Sequence, residues 1–411
     1  MTLRALREAL RAAFDQALAS IDLPARVERA YPRVPARTRA LTIVAVGKAA
    51  VPMMRGALSA SGDAFSHALA VYPVGTAGGA DIDPRVERVE APHPDPDRRS
   101  VIAARRARDV VGAGGFVVAL VSGGASSLLC LPETVPLGRY VRVVRALLVA
   151  GATVRDVNVV RRHLCSIKGG GLVRATRGSV HTLVVSDVIG GALHDVGSGP
   201  TVPDPTTSAQ ARAVLRRFVP RFDPPPMRES LKPLDPAARR LHARFVARPE
   251  DLAEGVAVAL RSALGPVRVL PPSVALVEDL ARETIALACA LRPGEAVVRS
   301  AEPSVRVEPL RPGRGGRSTH LALLVGPELP PGVAFLAAAS DGVDGRSGTA
   351  GALVDASLRR RVSSDAIMRA VARFDSASVI EAAGMALRQC PTGHNLADVH
   401  VLARVGGAAN A

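Results

Sequence analysis

Three short apolar runs, Leu41–Val46, Phe116–Val121 and Thr182–Val185, each pass directly into a turn built from glycine, serine or aspartate. They constrain the fold more than any other feature of the chain. Each is too short for a typical helix and lacks polar alternation, so each predicts a strand buried on both faces. Helical stretches at Val51–Ala60, Ser100–Gly112 and Leu137–Ala150 alternate with them. Such alternation predicts an α/β fold: a doubly wound parallel sheet with helices on both faces.

The length of 411 residues exceeds the roughly 250–300 at which one hydrophobic core stops growing, so two domains are expected. A proline-rich stretch, Phe218–Asp235, reads as the linker region. The expected domains are 38–240 and 241–411. In the second half, Leu252–Leu264 and Val277–Leu291 read as helices, Val267–Leu270 and Val297–Val307 as extended, and His320–Val325 and Val333–Ala338 as strands. Leu3, Leu6, Leu10, Phe14, Leu18 and Ile21 recur at helical spacing, so the chain opens with an amphipathic helix that needs a surface to cover.

A net charge of +16 raises the question of nucleic acid. The arginines are scattered along helices (Arg4, Arg7, Arg11; Arg105, Arg106, Arg108; Arg359, Arg360, Arg361), and with no Trp and three Tyr there is little to stack on bases. A solvated arginine coat follows, with no nucleic-acid partner. The 53 basic residues include only three lysines, Lys48, Lys168 and Lys232. Where arginine serves as the general cation, a retained lysine marks a place for a compact point charge. Cys130, Cys165, Cys289 and Cys390 stand far apart, without metal-site spacing, and read as buried thiols. The charged N-terminus lacks a signal-peptide core and no apolar run is long enough to span a bilayer, so a cytoplasmic protein with no membrane partner is expected.

Strand Leu41–Val46 enters Gly47-Lys48-Ala49-Ala50, placing Lys48 where open α/β sheets bind ligands. A lysine at a helix end satisfies the same pattern. The second strand enters Ser122-Gly123-Gly124-Ala125-Ser126-Ser127, whose glycines and hydroxyls suit phosphate oxygens; tight helix–strand packing would use them equally. Asn158-Val159-Val160-Arg161-Arg162-His163-Leu164-Cys165-Ser166-Ile167-Lys168-Gly169-Gly170-Gly171 combines an amide, cations and glycines suited to a carboxylate or phosphate. Asp187 follows the third strand, where it could orient a hydroxyl or hold Mg²⁺ through water, or simply cap a turn. Gly313-Arg314-Gly315-Gly316-Arg317 offers a cationic loop. In Ser340-Asp341-Gly342-Val343-Asp344-Gly345 the two aspartates could share a metal, although the pattern is also ordinary turn chemistry. Taken together these groups form the inventory of phosphoryl transfer.

The motifs resemble those of the class II glycerate kinases with a C-terminal MOFRL domain, once often labelled hydroxypyruvate reductases. The resemblance rests on Val46–Ala50, His93-Pro94 with Pro96-Asp97, Ser122–Ser126, Asn158–Gly171, Ser186-Asp187-Val188, Ser198–Thr207, Gly315-Gly316-Arg317, Ser340–Gly345 and Pro391–Asn395. It implies a Rossmann-like N-terminal domain, a smaller mixed α/β MOFRL domain with the segment 1–37 packed on it, and an active site in the cleft between. The implied reaction is ATP- and Mg²⁺-dependent phosphorylation of D-glycerate, usually to 2-phosphoglycerate; for the chain itself a monomer or a homodimer is expected. Lys48 and Arg317 match the catalytic cations, with Asp187 as a third catalytic residue. Gly47, Ser122, Gly123, Gly124, Ser126, Lys168 and Gly169 are expected at nucleotide phosphates, and Asn158, Arg162, Gly315, Gly316 and Asn395 at the substrate. Asp187, Asp341 and Asp344 are the expected Mg²⁺ ligands.

Three departures from the family pattern bear on the substrate. Ser318, Thr319 and His320 replace Asn-Gln-Glu, His394 replaces a threonine, and no Gly-Ser-Asn appears near Val246–Pro249. Another small hydroxy acid is therefore an alternative acceptor. An NAD(P)-dependent reductase is opposed by the absence of G-x-G-x-x-G after any strand; a non-catalytic nucleotide-binding protein is the remaining alternative.

Overall fold

The computed structural model describes residues 1–76, 78–79, 81–307, 311–389 and 392–406. The chain divides into two compact units, one of Asp22–Ala247 and one of Met1–Ile21 with Arg248–Ala411.

The sheet of the first unit contains β1 (Leu41–Val46), β2 (His67–Pro73), β3 (Glu87–Ala91), β4 (Phe116–Ser122), β5 (Ser179–Val185) and β6 (Leu241–Ala247). All pair in parallel, in the order β3-β2-β1-β4-β5-β6. This is the Rossmann-like, doubly wound order, which reverses direction between β1 and β4. β1 and β4 are buried at every position, as strands covered on both faces must be. Val46, Val121 and Val184 lie side by side, so the turns after β1, β4 and β5 leave the sheet along one edge.

The second unit carries a mixed sheet of β7 (Val267–Val269), β8 (Ala296–Ala301), β9 (Val333–Ala339), β10 (Thr349–Asp355), β11 (Ala386–Arg388) and β12 (Asp398–Arg404), in the order β11-β10-β9-β12-β8-β7. Only β7 and β8 pair in parallel. The opening helix Leu3–Ser20 buries Leu6, Leu10, Phe14 and Leu18 within this unit.

Several expectations are corrected. The proline-rich stretch is no boundary: Leu231 is buried, its N–H bonds Gly169 O and its carbonyl accepts from Asp204 N. β6 belongs to the parallel sheet, so the units meet after Ala247. The helix Leu23–Ala30 joins the first unit, tied by Arg26 to Val246 O and by Arg244 to Ala30 O. The supposed strand His320–Val325 lies in the helix Arg317–Val325. Ser318 through Leu323 are all buried, and burial all round removes the polar face that would have shown a helical period. Within the stretch Asn158–Gly171 the amide and arginines lie on the helix Val154–Leu164, and Lys168, Gly169 and Gly170 follow it in a turn. Cys130 and Cys165 are buried but Cys289 is exposed, and Cys390 lies outside the described residues.

Candidate functional site

The chain reverses sheet direction between β1 and β4, and the turns at their ends are bonded to each other. Lys48 N–H donates to Gly123 O at 2.8 Å, and Gly47 N–H to Val71 O of β2 at 3.1 Å. Ser122 Oγ accepts from Ala49 N–H at 3.0 Å and donates to Val46 O at 3.3 Å. A Cβ on Gly47 would stand 2.1 Å from that Oγ, at a φ of +125°. Ser122 and Gly47 therefore join two strands, and the serine's single proton is already engaged. This corrects Ser122 as a phosphate donor. Lys48 is half-buried above this junction. Gly124, at φ +85°, keeps open the space between Lys48 and His93: a Cβ there would lie 3.3 Å from Lys48 Cγ and 3.2 Å from the His93 ring.

Beside this junction, half-exposed Ser126 meets Ser198 Oγ to Oγ at 2.9 Å. Ser198 sits at φ +60° between Gly197 and Gly199, themselves at +59° and +60°. Three successive left-handed residues are costly for any non-glycine, and the chain holds them with Gly169 N–H to Ser198 O at 3.0 Å and Gly170 N–H to Gly199 O at 2.7 Å. Gly169 thus supports the backbone of this turn. Asp187 follows β5 on the same sheet edge, half-buried.

Two expected ligand cations are turned inward. Lys168 is 2% exposed and its Nζ donates to Ser126 O at 2.8 Å and Leu129 O at 2.7 Å, with Cys165 Sγ at 3.6 Å. Burial pushes the Cys165 thiol up, but Cys130, the Lys168 ammonium and the amides of Leu131 and Ile167 together hold it below its ordinary value. Arg162, also buried, pairs with Asp204 at 2.7 Å and Asp195 at 3.3 Å. Burial raises the Asp204 carboxyl, yet Arg162 with Ser230 and Thr206 holds it below its ordinary value. Lys168 and Arg162 are therefore internal braces, correcting their assignment to phosphate and substrate. Buried Asn158 bonds Asp195 O and Ser198 and also acts from within.

In the second unit, Arg317 opens the helix Arg317–Val325. Its Nε and Nη2 meet Asp398 at 2.6 and 3.1 Å, and its Nη1 meets Glu302 at 2.8 Å. Among the described residues, these bonds engage three of the five guanidinium N–H groups. Burial would lower the Arg317 pKa, but the two carboxylates hold it above the ordinary range. Burial pushes Asp398 up to about 6, against the pull of Arg317. Asp344 accepts from Ser318 N–H at 2.9 Å and Thr319 N–H at 2.8 Å, one per oxygen. It caps the helix, which corrects its assignment to Mg²⁺. Gly316 is fitted against it, since a Cβ would fall 2.2 Å from Asp344 O and Oδ1, and Gly315 packs on Ser376. Asp341 Oδ1 accepts from Val343 N–H at 3.0 Å, an Asx turn. Asn395 is buried beside Leu396, whose N–H bonds Ser340 Oγ; Pro391 of the same motif lies outside the described residues.

Among the described residues, no three His, Cys, Asp or Glu side chains form a metal cluster. Mg²⁺ typically takes one or two carboxylates with water and substrate phosphates; both oxygens of buried Asp344 are already taken by backbone amides, while Asp187 is half-exposed. Also among the described residues, no helix is long and apolar enough to cross a membrane.

The family described as a domain of unknown function, DUF4147, matches residues 9–232, and the MOFRL family matches 295–398. This chain belongs to the DUF4147 family. Within it, the chain is 34% identical to an Agrobacterium vitis protein provisionally named a hydroxypyruvate reductase, over 96% of this chain and 94% of the relative. It is 29% identical to the D-glycerate 2-kinase of Thermotoga maritima, over 87% and 89%. The crystal structure of Thermotoga maritima glycerate kinase shares the fold of this DUF4147–MOFRL chain, with a TM-score of 0.82 at 24% identity, covering 98% of this chain and 100% of that one. Sequence motifs located the β1 and β4 turns. They missed Asp398 and Glu302, the partners of Arg317, which stand at the ends of strands whose antiparallel pairing has no local signature.

Proposed function

We propose that this protein is an ATP-dependent kinase that phosphorylates D-glycerate to 2-phosphoglycerate. The observation that carries the reading is Lys48, half-buried at the point where the parallel sheet reverses its strand order and bonded through its backbone to the Gly123-Gly124 turn. Relatives named as glycerate 2-kinases in Thermotoga maritima and Sulfurisphaera tokodaii support the choice of acceptor.

In this reading Lys48 gives a compact positive charge to the transferring phosphoryl oxygens, which develop charge without covalent help from the protein. Asp187 orients the reacting hydroxyl and is the carboxylate suited to Mg²⁺. The metal would neutralise phosphate charge when bound. Arg317 offers its guanidinium to an anion, with Asp398 and Glu302 fixing its plane.

The reductase name of the Agrobacterium relative finds less support here. Close approach at Gly47 is used by Ser122, not left for a pyrophosphate. β2 ends in Tyr72-Pro73 and continues as Val74-Gly75, without the acidic residue that would hold a ribose. Phosphorus NMR of the product made from ATP and D-glycerate tests the proposal and reports which hydroxyl reacts. Nicotinamide oxidation with hydroxypyruvate, without any phosphoester, would overturn it.

A further inference from the structure

Ser126 stands at the half-exposed end of a chain of hydrogen bonds whose direction is fixed from its buried end. Asn158 is 3% exposed and its Nδ2 lies 3.3 Å from the carbonyl of Asp195. Because a carbonyl accepts only, that contact orients the amide, and Arg161 Nη1 at 3.4 Å from Asn158 Oδ1 agrees. Oδ1 therefore faces Ser198 Oγ at 2.9 Å and must accept the single Ser198 proton. Fully buried Ser198 then has only a lone pair for Ser126 Oγ, again at 2.9 Å, so Ser126 donates its own proton inward. The side chain that reaches the sheet edge presents lone pairs alone.

We infer that Ser126 Oγ is a fixed hydrogen-bond acceptor that receives a hydrogen bond from a hydroxyl of the alcohol substrate, and that Ser198 and Asn158 are positioning residues that set this polarity. A phosphate oxygen, itself an acceptor, would be repelled by it, so Ser126 does not cradle nucleotide phosphate as its motif suggested. The inference rests on the kinase reading above. Asp187 is there given the reacting hydroxyl, which leaves Ser126 the other one, at C3 of D-glycerate. The strained backbone of Ser198 fits this purpose, because the left-handed turn delivers its hydroxyl between Asn158 and Ser126.

The test is titration calorimetry on the full-length protein with three probes: D-glycerate, its 3-deoxy-3-fluoro analogue and ATP. Fluorine is close to hydroxyl in size but cannot donate. The wild type is expected to bind D-glycerate three- to tenfold more tightly than the fluoro analogue, the range of one hydrogen bond. Ser126→Ala should bind the two alike and ATP as the wild type does. Ser198→Gly accepts the left-handed backbone and should stay folded by circular dichroism; freeing the Ser126 proton to rotate, it should narrow the difference between the two acids. Tight D-glycerate binding that Ser126→Ala leaves unchanged, or a loss confined to ATP, overturns this inference alone. A wild type that binds no hydroxy acid overturns the kinase reading and this assignment together.

Discussion

Replacing Lys168 by Met separates an internal brace from a phosphate ligand. The ammonium serves two buried carbonyls, Ser126 O and Leu129 O, and lies 3.6 Å from Cys165 Sγ. Each carbonyl left without its donor costs about 1–3 kcal/mol. Removing one partner of a buried ion pair costs about 3–5 kcal/mol when the other charge stays behind. Here Cys165 can take up a proton instead, and Met fills similar volume, so the net loss is expected at about 2–4 kcal/mol. With a urea slope of about 2–3 kcal/mol per molar for a unit of this size, the midpoint of its unfolding should fall by about 1 M. The Cys165 thiol, held below its ordinary value by Cys130 first and then by the ammonium and two amides, should rise, because burial is then opposed by Cys130 and the amides without the ammonium; ultraviolet titration of the thiolate reads this directly. An unchanged midpoint and thiol titration, with ATP affinity weakened instead, would refute the argument and return Lys168 to the ligand.

Lys48→Met should reduce turnover by several orders of magnitude in a coupled ADP assay while leaving the thermal midpoint within a few degrees. Gly47→Ala places a Cβ 2.1 Å from Ser122 Oγ at φ +125° and should cost about 3 kcal/mol from strain and overpacking, measured by denaturant unfolding. Asp344→Asn keeps one of two capping acceptors and should lose about 1–2 kcal/mol, with no change in the Mg²⁺ concentration needed for half-maximal rate. His400 is buried, and desolvation first, then the charges of Arg299 and Arg317, lower its pKa from 6.5 to about 3. The unfolded chain therefore binds a proton that the native state refuses: stability is fully present above about pH 6.5 and falls by about 1.4 kcal/mol per pH step toward pH 3. His400→Leu should flatten this acid branch in unfolding curves compared across pH.

Strands covered on both faces were legible because an uninterrupted apolar run has few other uses, and β1, β4 and β5 fell where such runs predicted. The turns that follow them were legible as well. What charge does inside the fold was not. Lys168 and Arg162 advertise a ligand in one dimension, but their counter-groups, the Ser126 and Leu129 carbonyls and Asp195 and Asp204, converge only after the helix Val154–Leu164 and the Gly169-Gly170 turn have formed. Arg317 shows the same difficulty, since Asp398 reaches it through β12, whose neighbours in the sheet are remote in sequence. The helix Arg317–Val325 escaped because its cap, Asp344, lies downstream of the residues it caps rather than just before them.

The helix Leu3–Ser20 is synthesised long before the rest of the unit it belongs to. Its unit resumes only at Arg248, after the whole of Asp22–Ala247 has been synthesised. At about 5–20 residues per second, the stripe of Leu6, Leu10, Phe14 and Leu18 leaves the ribosome roughly 10–45 seconds before the helix Pro249–Leu264, whose Gly255 lies against Ala17, begins to appear. The intervening unit can complete its parallel sheet in that interval. The nascent helix meanwhile presents an uncovered apolar face, a surface that a chaperone can cover during translation.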